Sequence, residues 1–225
     1  MASPKLFEPI SFRSVTARNR IAVAPMCQYS AIDGLGDDWH VQHLGARAMG
    51  GAGIVFTEAT HVSAIGRITS HCLGLWNPAH LHLLTRLAAI IERGGAVPGL
   101  QIAHAGRKAS VDVPWRGNKP IPVEAGGWVP LGPSAIPFGE GYTTPHALSV
   151  AEIGEIVAQF AATARLTRQA GFKVIEVHAA HGYLLHSFLS PVSNQRNDQY
   201  GGDLAGRTRA LMEVIDAVRT EWPDE

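Results

Sequence analysis

The sequence predicts an α/β protein in which helices cover a mostly parallel sheet. Short apolar runs and helical runs alternate four times along the 225 residues. The apolar runs are nearly continuous instead of alternating with polar residues, which is typical of parallel strands buried on both faces. The four predicted strands are RIAVAP (20–25), GIVFTEAT (53–60), AVPGLQIAHAG (96–106) and KVIEVH (173–178). This length suits one large domain or two small ones.

In the first half of the chain, particular residues mark where the predicted elements begin and end. LFEPISFRSV, at the amino terminus, is consistent with a small hairpin. In the first helix, DDWHVQHLGARAMGG, Asp37 or Asp38 is a candidate N-cap, and two glycines at 50–51 stop it. In the second, Asn77 is placed to cap the helix and Pro78 fits its first position.

The second half repeats the pattern around a long insertion. Residues 107–146 are rich in Gly and Pro, which predicts loops or small hairpins. The next helix opens with SVAE, in which Ser149 and Glu152 form a capping box, and Gly171 closes it. A polar loop, NQRNDQYGGD, leads to a last helix over about 205–221.

Composition narrows the possible partners. The 19 basic residues balance the 19 acidic ones without a Lys/Arg run, so nothing favours nucleic acid or an anionic membrane. No apolar run reaches the length of a bilayer span. The amino terminus lacks an apolar signal core, and Cys27 and Cys72 make no disulfide framework. A cytoplasmic protein is therefore expected.

Unusual polar residues gather where the predicted strands end. Ligands in parallel α/β sheets bind at the carboxyl ends of the strands. All four strand ends supply candidates here, and the convergence predicts a ligand site. The candidates are Met26, Cys27, Gln28, Tyr29, Glu58, Ala59, Thr60, Gln101, His104, Arg107, His178, His181 and Tyr183.

Six motifs in register resemble the old yellow enzyme family of flavin-dependent ene-reductases. They are APMCQYSA, EAT, GRIT, QIAHAGRKAS, EVHAAHGYLLHSFLSP and NQRNDQYGG, and the cysteine in PMCQYS is similar to the bacterial xenobiotic-reductase subclass. The resemblance implies a TIM (β/α)8 barrel that holds FMN. NADPH or NADH would supply a hydride to the flavin, which would reduce the C=C bond of small electron-poor alkenes such as enones and nitroalkenes.

The resemblance also assigns roles on the substrate side. His178 and His181 match the pair that grips the substrate carbonyl oxygen, and Tyr183 matches the proton donor to the α-carbon. Tyr29 matches a tyrosine that contacts the bound ligand. The alternatives are satisfied core histidines and anchored buried tyrosines. HxxH can also chelate a metal, which would make the protein a metal-dependent lyase or hydrolase.

The flavin side is assigned in the same way. Cys27 matches the residue that lies against the flavin ring, and Gln101 matches the side chain that pairs with its pyrimidine edge. The close-approach positions of the ring match Ala24, Pro25, Met26 and Ala59. The alternative for these residues is ordinary strand packing. Arg107 and Lys108 are interpreted as structural or rim charges, and Cys72 as structural.

The chain covers about the first four βα units of such a barrel, with the amino-terminal hairpin and the insertion after strand 3. A whole barrel takes about 250 residues without insertions. We therefore interpret residues 1–225 as a single domain, the amino-terminal half of a flavin-binding barrel, and expect weak FMN binding by it alone. A homo-oligomer or a complementing second half would complete the site. The remaining alternative is a non-catalytic (βα)4 module.

Overall fold

A computed structural model describes residues 4–224 of the chain. The eight strands are β1 (Ile10–Phe12), β2 (Val15–Ala17), β3 (Ala22–Val23), β4 (Ile54–His61), β5 (Val97–Ala103), β6 (Leu131–Gly132), β7 (His146–Ala147) and β8 (Val174–Val177). The five α-helices are α1 (Asp38–Met49), α2 (Leu81–Arg93), α3 (Val150–Gln169), α4 (Leu184–Leu189) and α5 (Leu204–Glu221).

The central sheet is parallel and runs in the order β3-β4-β5-β8. One face of it is fully buried under the helices, where Val55, Leu100 and Ile102 are inaccessible to solvent and pack in one core with α2 and α3. α1 packs on α2, and α3 packs on α5. The predicted α/β class, the parallel sheet and the amino-terminal hairpin, β1 with β2, are confirmed.

The predicted helix starts are also confirmed, with one change. Asp37 caps α1, and Ser149 and Glu152 form the capping box of α3. Asn77 caps a 3-10 turn, Pro78–His80, and the α-helix begins only at Leu81. The proline therefore starts the segment as predicted, but its first turn is wound more tightly.

One strand boundary was wrong, and two local features were not predicted. The first sheet strand has only two residues, because Pro25 offers no N–H to a ladder that pairs Ala22 with Ile54 and Val23 with Val55. The insertion consists of loops and short turns with one small antiparallel bridge, Val111 with Pro120, as predicted, but its two short strands, β6 and β7, pair in parallel, which was not predicted. α4 was not predicted, since six residues are too few to display a helical period.

β4 contains an irregularity that bears on the site. Phe56 pairs with Gly99 of β5, but the next pair is Ala59 with Gln101. β4 therefore carries one extra residue between the two pairs, which is a β-bulge. After it, Ala59 lies beside Gln101, and Glu58 is directed elsewhere.

The outer edges of the sheet are β3 and β8. Beside β8 lies a cavity of about 760 Å³, walled by the hairpin, the strand and the end of α5. Its floor is apolar, with Ile175, Val218 and Trp222 among the lining residues. Its rim carries the cations Arg13, Arg168, Lys173 and Arg219. We call this the β8 groove.

No helix within residues 4–224 is long and apolar enough to cross a bilayer.

Candidate active site

The predicted cluster forms at the carboxyl ends of the parallel strands. Cys27 and Tyr29 follow β3, and His178 comes directly after β8. Ala59 lies near the end of β4, and Gln101 lies late in β5. Cys27, Tyr29 and Tyr183 pack against one small apolar cluster built around Cys72. Residues that are far apart in sequence thus share one surface.

The two histidines and Tyr183 form a compact group of rings. The ring centroid of His178 lies 5.1 Å from that of His181 and 4.9 Å from that of Tyr183, and both pairs are edge-to-face. His178 is buried, whereas His181 is exposed. The loop that holds them is unusual, because His181 and Gly182 both adopt positive φ, +58° and +78°.

The hydrogen bonds of His178 define which of its nitrogens can donate. The backbone N–H of Ala180 donates to Nδ1 over 3.3 Å, so the neutral ring carries its proton on Nε2. Burial, with the charges of His181 and Lys108, lowers the pKa of His178 to about 4. At neutral pH the residue is therefore an uncharged N–H donor.

The two phenols and the thiol remain protonated. Burial raises the pKa of Tyr183 to about 12, with smaller effects from Cys27, Cys72 and Tyr142. Burial likewise raises the pKa of Tyr29 and of Cys27, which share a side-chain hydrogen bond. Tyr29 has φ +51° and its ring meets Trp115 edge-on at 6.0 Å. The cluster thus offers uncharged hydrogen-bond donors.

The positions assigned to the flavin ring fit a flat aromatic group. Ala24 and Met26 are exposed at the end of β3, with Met26 45% accessible although it is a large apolar side chain. Ala59 and Gln101 are paired neighbours, and Gln101 lies on the face of the sheet opposite to Leu100 and Ile102. The Gln101 amide is held by a 2.7 Å bond from its Nε2 to Oε1 of Glu176. Short side chains, an uncovered thioether and a fixed amide together fit a ring that stacks and hydrogen-bonds.

The two cations nearest this cluster already have partners. Arg107 donates to the carbonyl oxygens of Ile136 and Pro137, and Lys108 donates to that of His181. These contacts agree with the interpretation of Arg107 as a structural charge.

A buried pair lies behind the Cys27–Tyr29 segment; the sequence analysis named Glu58 as a candidate but missed its partner, His40. The carboxylate of Glu58 accepts from the backbone N–H of Gln28 over 3.2 Å and lies 3.0 Å from Nε2 of His40. Burial alone would lower the pKa of His40, but Glu58 and Asp37 reverse this and raise it. An acid in an otherwise apolar strand, GIVFTEAT, was the available signal. Its partner in α1 could not be inferred from spacing.

Among residues 4–224, no group of three His, Cys, Asp or Glu side chains is arranged to hold a metal ion.

Comparison with known proteins gives consistent matches along the chain. The model of the NADH:flavin oxidoreductase / NADH oxidase family matches residues 5–224. An NADH:flavin oxidoreductase of Gibberella zeae is 46% identical over 226 residues, which is 99% of this chain and 55% of that protein. An NADPH dehydrogenase of Geobacillus thermodenitrificans is 46% identical over 219 residues, 96% of this chain and 60% of the dehydrogenase.

Solved structures agree. Morphinone reductase superposes with a TM-score of 0.85 at 30% identity, covering 99% of this chain and 60% of the reductase. An old yellow enzyme homologue from Zymomonas mobilis gives 0.84 at 28% identity, covering 97% and 60%. The chain thus spans only about 60% of the length of these relatives, in their amino-terminal part.

Proposed function

The chain belongs to the NADH:flavin oxidoreductase / NADH oxidase family, and from that premise we propose that it carries the substrate side and one ring face of an FMN-dependent ene-reductase. The observation that carries the proposal is the ring group of His178, His181 and Tyr183, which lies at the strand ends beside Cys27 and Tyr29. Uncharged donors at this place suit a substrate whose oxygen becomes negative during reaction.

FMN, when bound, would take a hydride from NADPH or NADH and deliver it to the β-carbon of an electron-poor alkene. The positions that would face it are Ala24, Pro25, Met26, Cys27, Ala59 and Gln101. The small side chains allow close approach, and the fixed amide of Gln101 offers both a donor and an acceptor.

The histidines would hold the substrate by its carbonyl or nitro oxygen. As a hydride reaches the β-carbon, electron density moves from the C=C bond to that oxygen. The Nε2–H of His178 and the ring of His181 then donate to a more basic acceptor, so they stabilise the transition state more than the ground state. Because the pKa of His178 is about 4, this donor keeps its uncharged form throughout the neutral range.

Tyr183 would finish the reduction by giving its phenolic proton to the α-carbon. One hydride and one proton are then added, and the C=C bond becomes a single bond. With a pKa of about 12 the phenol does not lose this proton to solvent at neutral pH. Tyr29, after β3 at the other edge of the sheet, would contact the bound ligand.

We further propose that a complementing polypeptide occupies the β8 groove and completes the barrel. An edge strand presents unpaired backbone groups that can pair with another strand, and the apolar floor of the groove is continuous with that edge. The share of each relative that this chain does not match, about 40% for the dehydrogenase, is the natural source of such a strand. We favour this segment over a second copy of the chain as the partner.

We propose a cytoplasmic location, supported by the two free thiols, Cys27 and Cys72.

Mixing the chain with FMN is expected to leave a colourless peak on gel filtration. Adding a polypeptide that contains the carboxyl-terminal 40% or so of the Geobacillus thermodenitrificans dehydrogenase is expected to give a larger, yellow peak that oxidises NADPH with cyclohexenone. A Val174→Arg variant should abolish this colour, since Val174 lines the β8 groove. Val192→Arg, at a site 73% exposed and outside the groove, is the matched control.

A yellow monomer at one FMN per chain would contradict the expected weak binding. A yellow complex without NADPH oxidation would instead favour the non-catalytic (βα)4 module. If Val174→Arg and Val192→Arg behaved alike, the β8 groove would not be the docking surface.

A further inference from the structure

Lys108 occupies a place between three segments that meet at the ring group. It ends the 3-10 turn Gly106–Lys108 that follows β5. Its Nζ donates to the carbonyl oxygen of His181 over 3.0 Å and lies 4.8 Å from the ring centroid of Tyr183. The same Nζ lies 4.7 Å from the ring centroid of Phe138, in the long insertion. One ammonium group therefore joins the β5 end, the insertion and the loop after β8.

The loop after β8 holds a backbone conformation that side chains rarely adopt. His181 has φ +58°, a conformation that is unfavourable for a residue with a Cβ atom, and Gly182 continues it at φ +78°. The bond from Lys108 fixes the direction of the His181 carbonyl at the start of this left-handed pair. A Cβ added to Gly182 would lie 3.6 Å from Cδ of Lys108, so the lysine stem covers the second residue of the pair.

The charge of Lys108 also acts on the neighbouring rings. A cation over the face of a phenol is attracted by the ring and stabilises negative charge that develops on its oxygen. The same charge disfavours a second proton on His178, together with the larger effect of burial and the effect of His181. Arg107 adds to the positive charge on this side, since it is one cause of the lowered pKa of Lys108, after burial.

From this geometry we propose that Lys108 is a positioning residue of the active site. It holds the left-handed His181–Gly182 turn, and thereby the direction of the His181 and Tyr183 rings, and it places a positive charge over the phenol that donates the proton. This inference rests on the proposed function for its catalytic meaning, and it replaces the interpretation of Lys108 as a rim charge.

The first test reads the rings themselves and needs neither cofactor nor turnover. In the chain with ¹³C-labelled histidine and tyrosine, Lys108→Met keeps most of the stem but removes the charge and the donor. We expect the NMR titration of His178 to move up by roughly 0.5 to 1 pH unit and the Tyr183 ring signals to shift. Among residues 4–224, the ionisable groups that then still act on His178 are His181 and His61, with Tyr183 beside it.

Lys108→Arg is the matched variant, because it keeps a cation and donors over the same rings. In Lys108→Arg, the titration of His178 should therefore have the same midpoint as in the wild type. If Lys108→Met left both the His178 titration and the Tyr183 signals unchanged, Lys108 would be a rim charge. If Lys108→Met and Lys108→Arg shifted the His178 and Tyr183 signals equally, the effect would come from side-chain packing alone.

A second readout separates this inference from the proposed function. In the yellow complex, Lys108→Met should slow the reoxidation of reduced flavin by alkene at least tenfold in a single turnover, and Lys108→Arg should restore most of that rate. Shifted NMR signals in a chain that never gains flavin would support the positioning role and count against the function. Unchanged alkene consumption in an active complex would overturn the positioning role and leave the function standing.

Discussion

In the yellow complex, a Tyr183→Phe chain is expected to consume cyclohexenone about 10² to 10⁴ times more slowly than the wild type, the range typical of a lost general acid. Its rate of NADPH oxidation in the absence of alkene should not change. The phenylalanine keeps the edge-to-face contact with His178 and the place under Lys108, since both involve the ring. The backbone bond from Ser187 N–H to the carbonyl of residue 183 is also retained. Only the hydroxyl is lost.

The two half-reactions should be followed separately by stopped-flow absorbance. Tyr142→Phe is the matched control, because Tyr142 is a second phenol packed in the same apolar cluster and influences Tyr183 through its charge. It should leave both rates within a few-fold of the wild type. An unchanged rate of alkene consumption in Tyr183→Phe would show that the proton comes from another group.

Mild acid is expected to lower the free energy of unfolding at pH values where the carboxylates are still ionised, because of two buried histidines. His61 and His104 are each 1% exposed. Burial is the largest cause that lowers their pKa values, to about 4 for His61 and about 3 for His104. Nδ1 of His104 accepts from the Gly106 N–H, so a second proton would replace an attraction with a clash of donors.

The direction of the pH effect on stability follows from the lowered pKa values of His61 and His104. Below the ordinary histidine pKa of 6.5, the unfolded chain takes up protons that the folded chain refuses, so the free energy of unfolding falls as the pH falls. Two such groups remove roughly 3 kcal/mol between pH 6.5 and pH 5. His40 acts in the opposite direction, because its pKa is raised: its contribution is complete below 6.5 and is lost as the pH rises through its folded value.

Urea unfolding at pH 6.5, 5.5 and 5.0 measures this directly. His104→Asn should have a lower free energy of unfolding than the wild type at pH 6.5. Between pH 6.5 and 5, however, it should lose only about half as much of that free energy as the wild type, because one of the two histidines is gone. His82→Asn, at an exposed position of α2, is the control and should keep the wild-type slope. Equal slopes for His104→Asn and the wild type would contradict the assignment.

The parts of the fold that follow from neighbouring residues were predictable from the sequence. The caps at Asp37 and Ser149 depend on side chains that bond to backbone within three residues. The site could be located because each strand end displays its own unusual residues, such as His178. Roles within the site came from the resemblance, and they stay predictions.

The features that were missed depend on contacts across the chain. Glu58 meets His40 across 18 positions, and Lys108 meets the carbonyl of His181 across 73. Neither pairing leaves a period in the sequence. The parallel pair of β6 and β7 was missed for the same reason, since its partners are brought together by the folding of the whole insertion.

The bulge in β4 shifts the alternation of side chains between the two faces of the sheet by one residue. Side chains alternate between faces with a period of two, so in an unbroken ladder the residue beside Gln101 would be Glu58. A carboxylate would then stand beside the Gln101 amide, where the methyl group of Ala59 now lies. The extra residue sends that carboxylate to Gln28 and His40 instead. A single inserted position thus places the short side chain of Ala59 beside Gln101 and its charged neighbour behind the segment that carries Cys27.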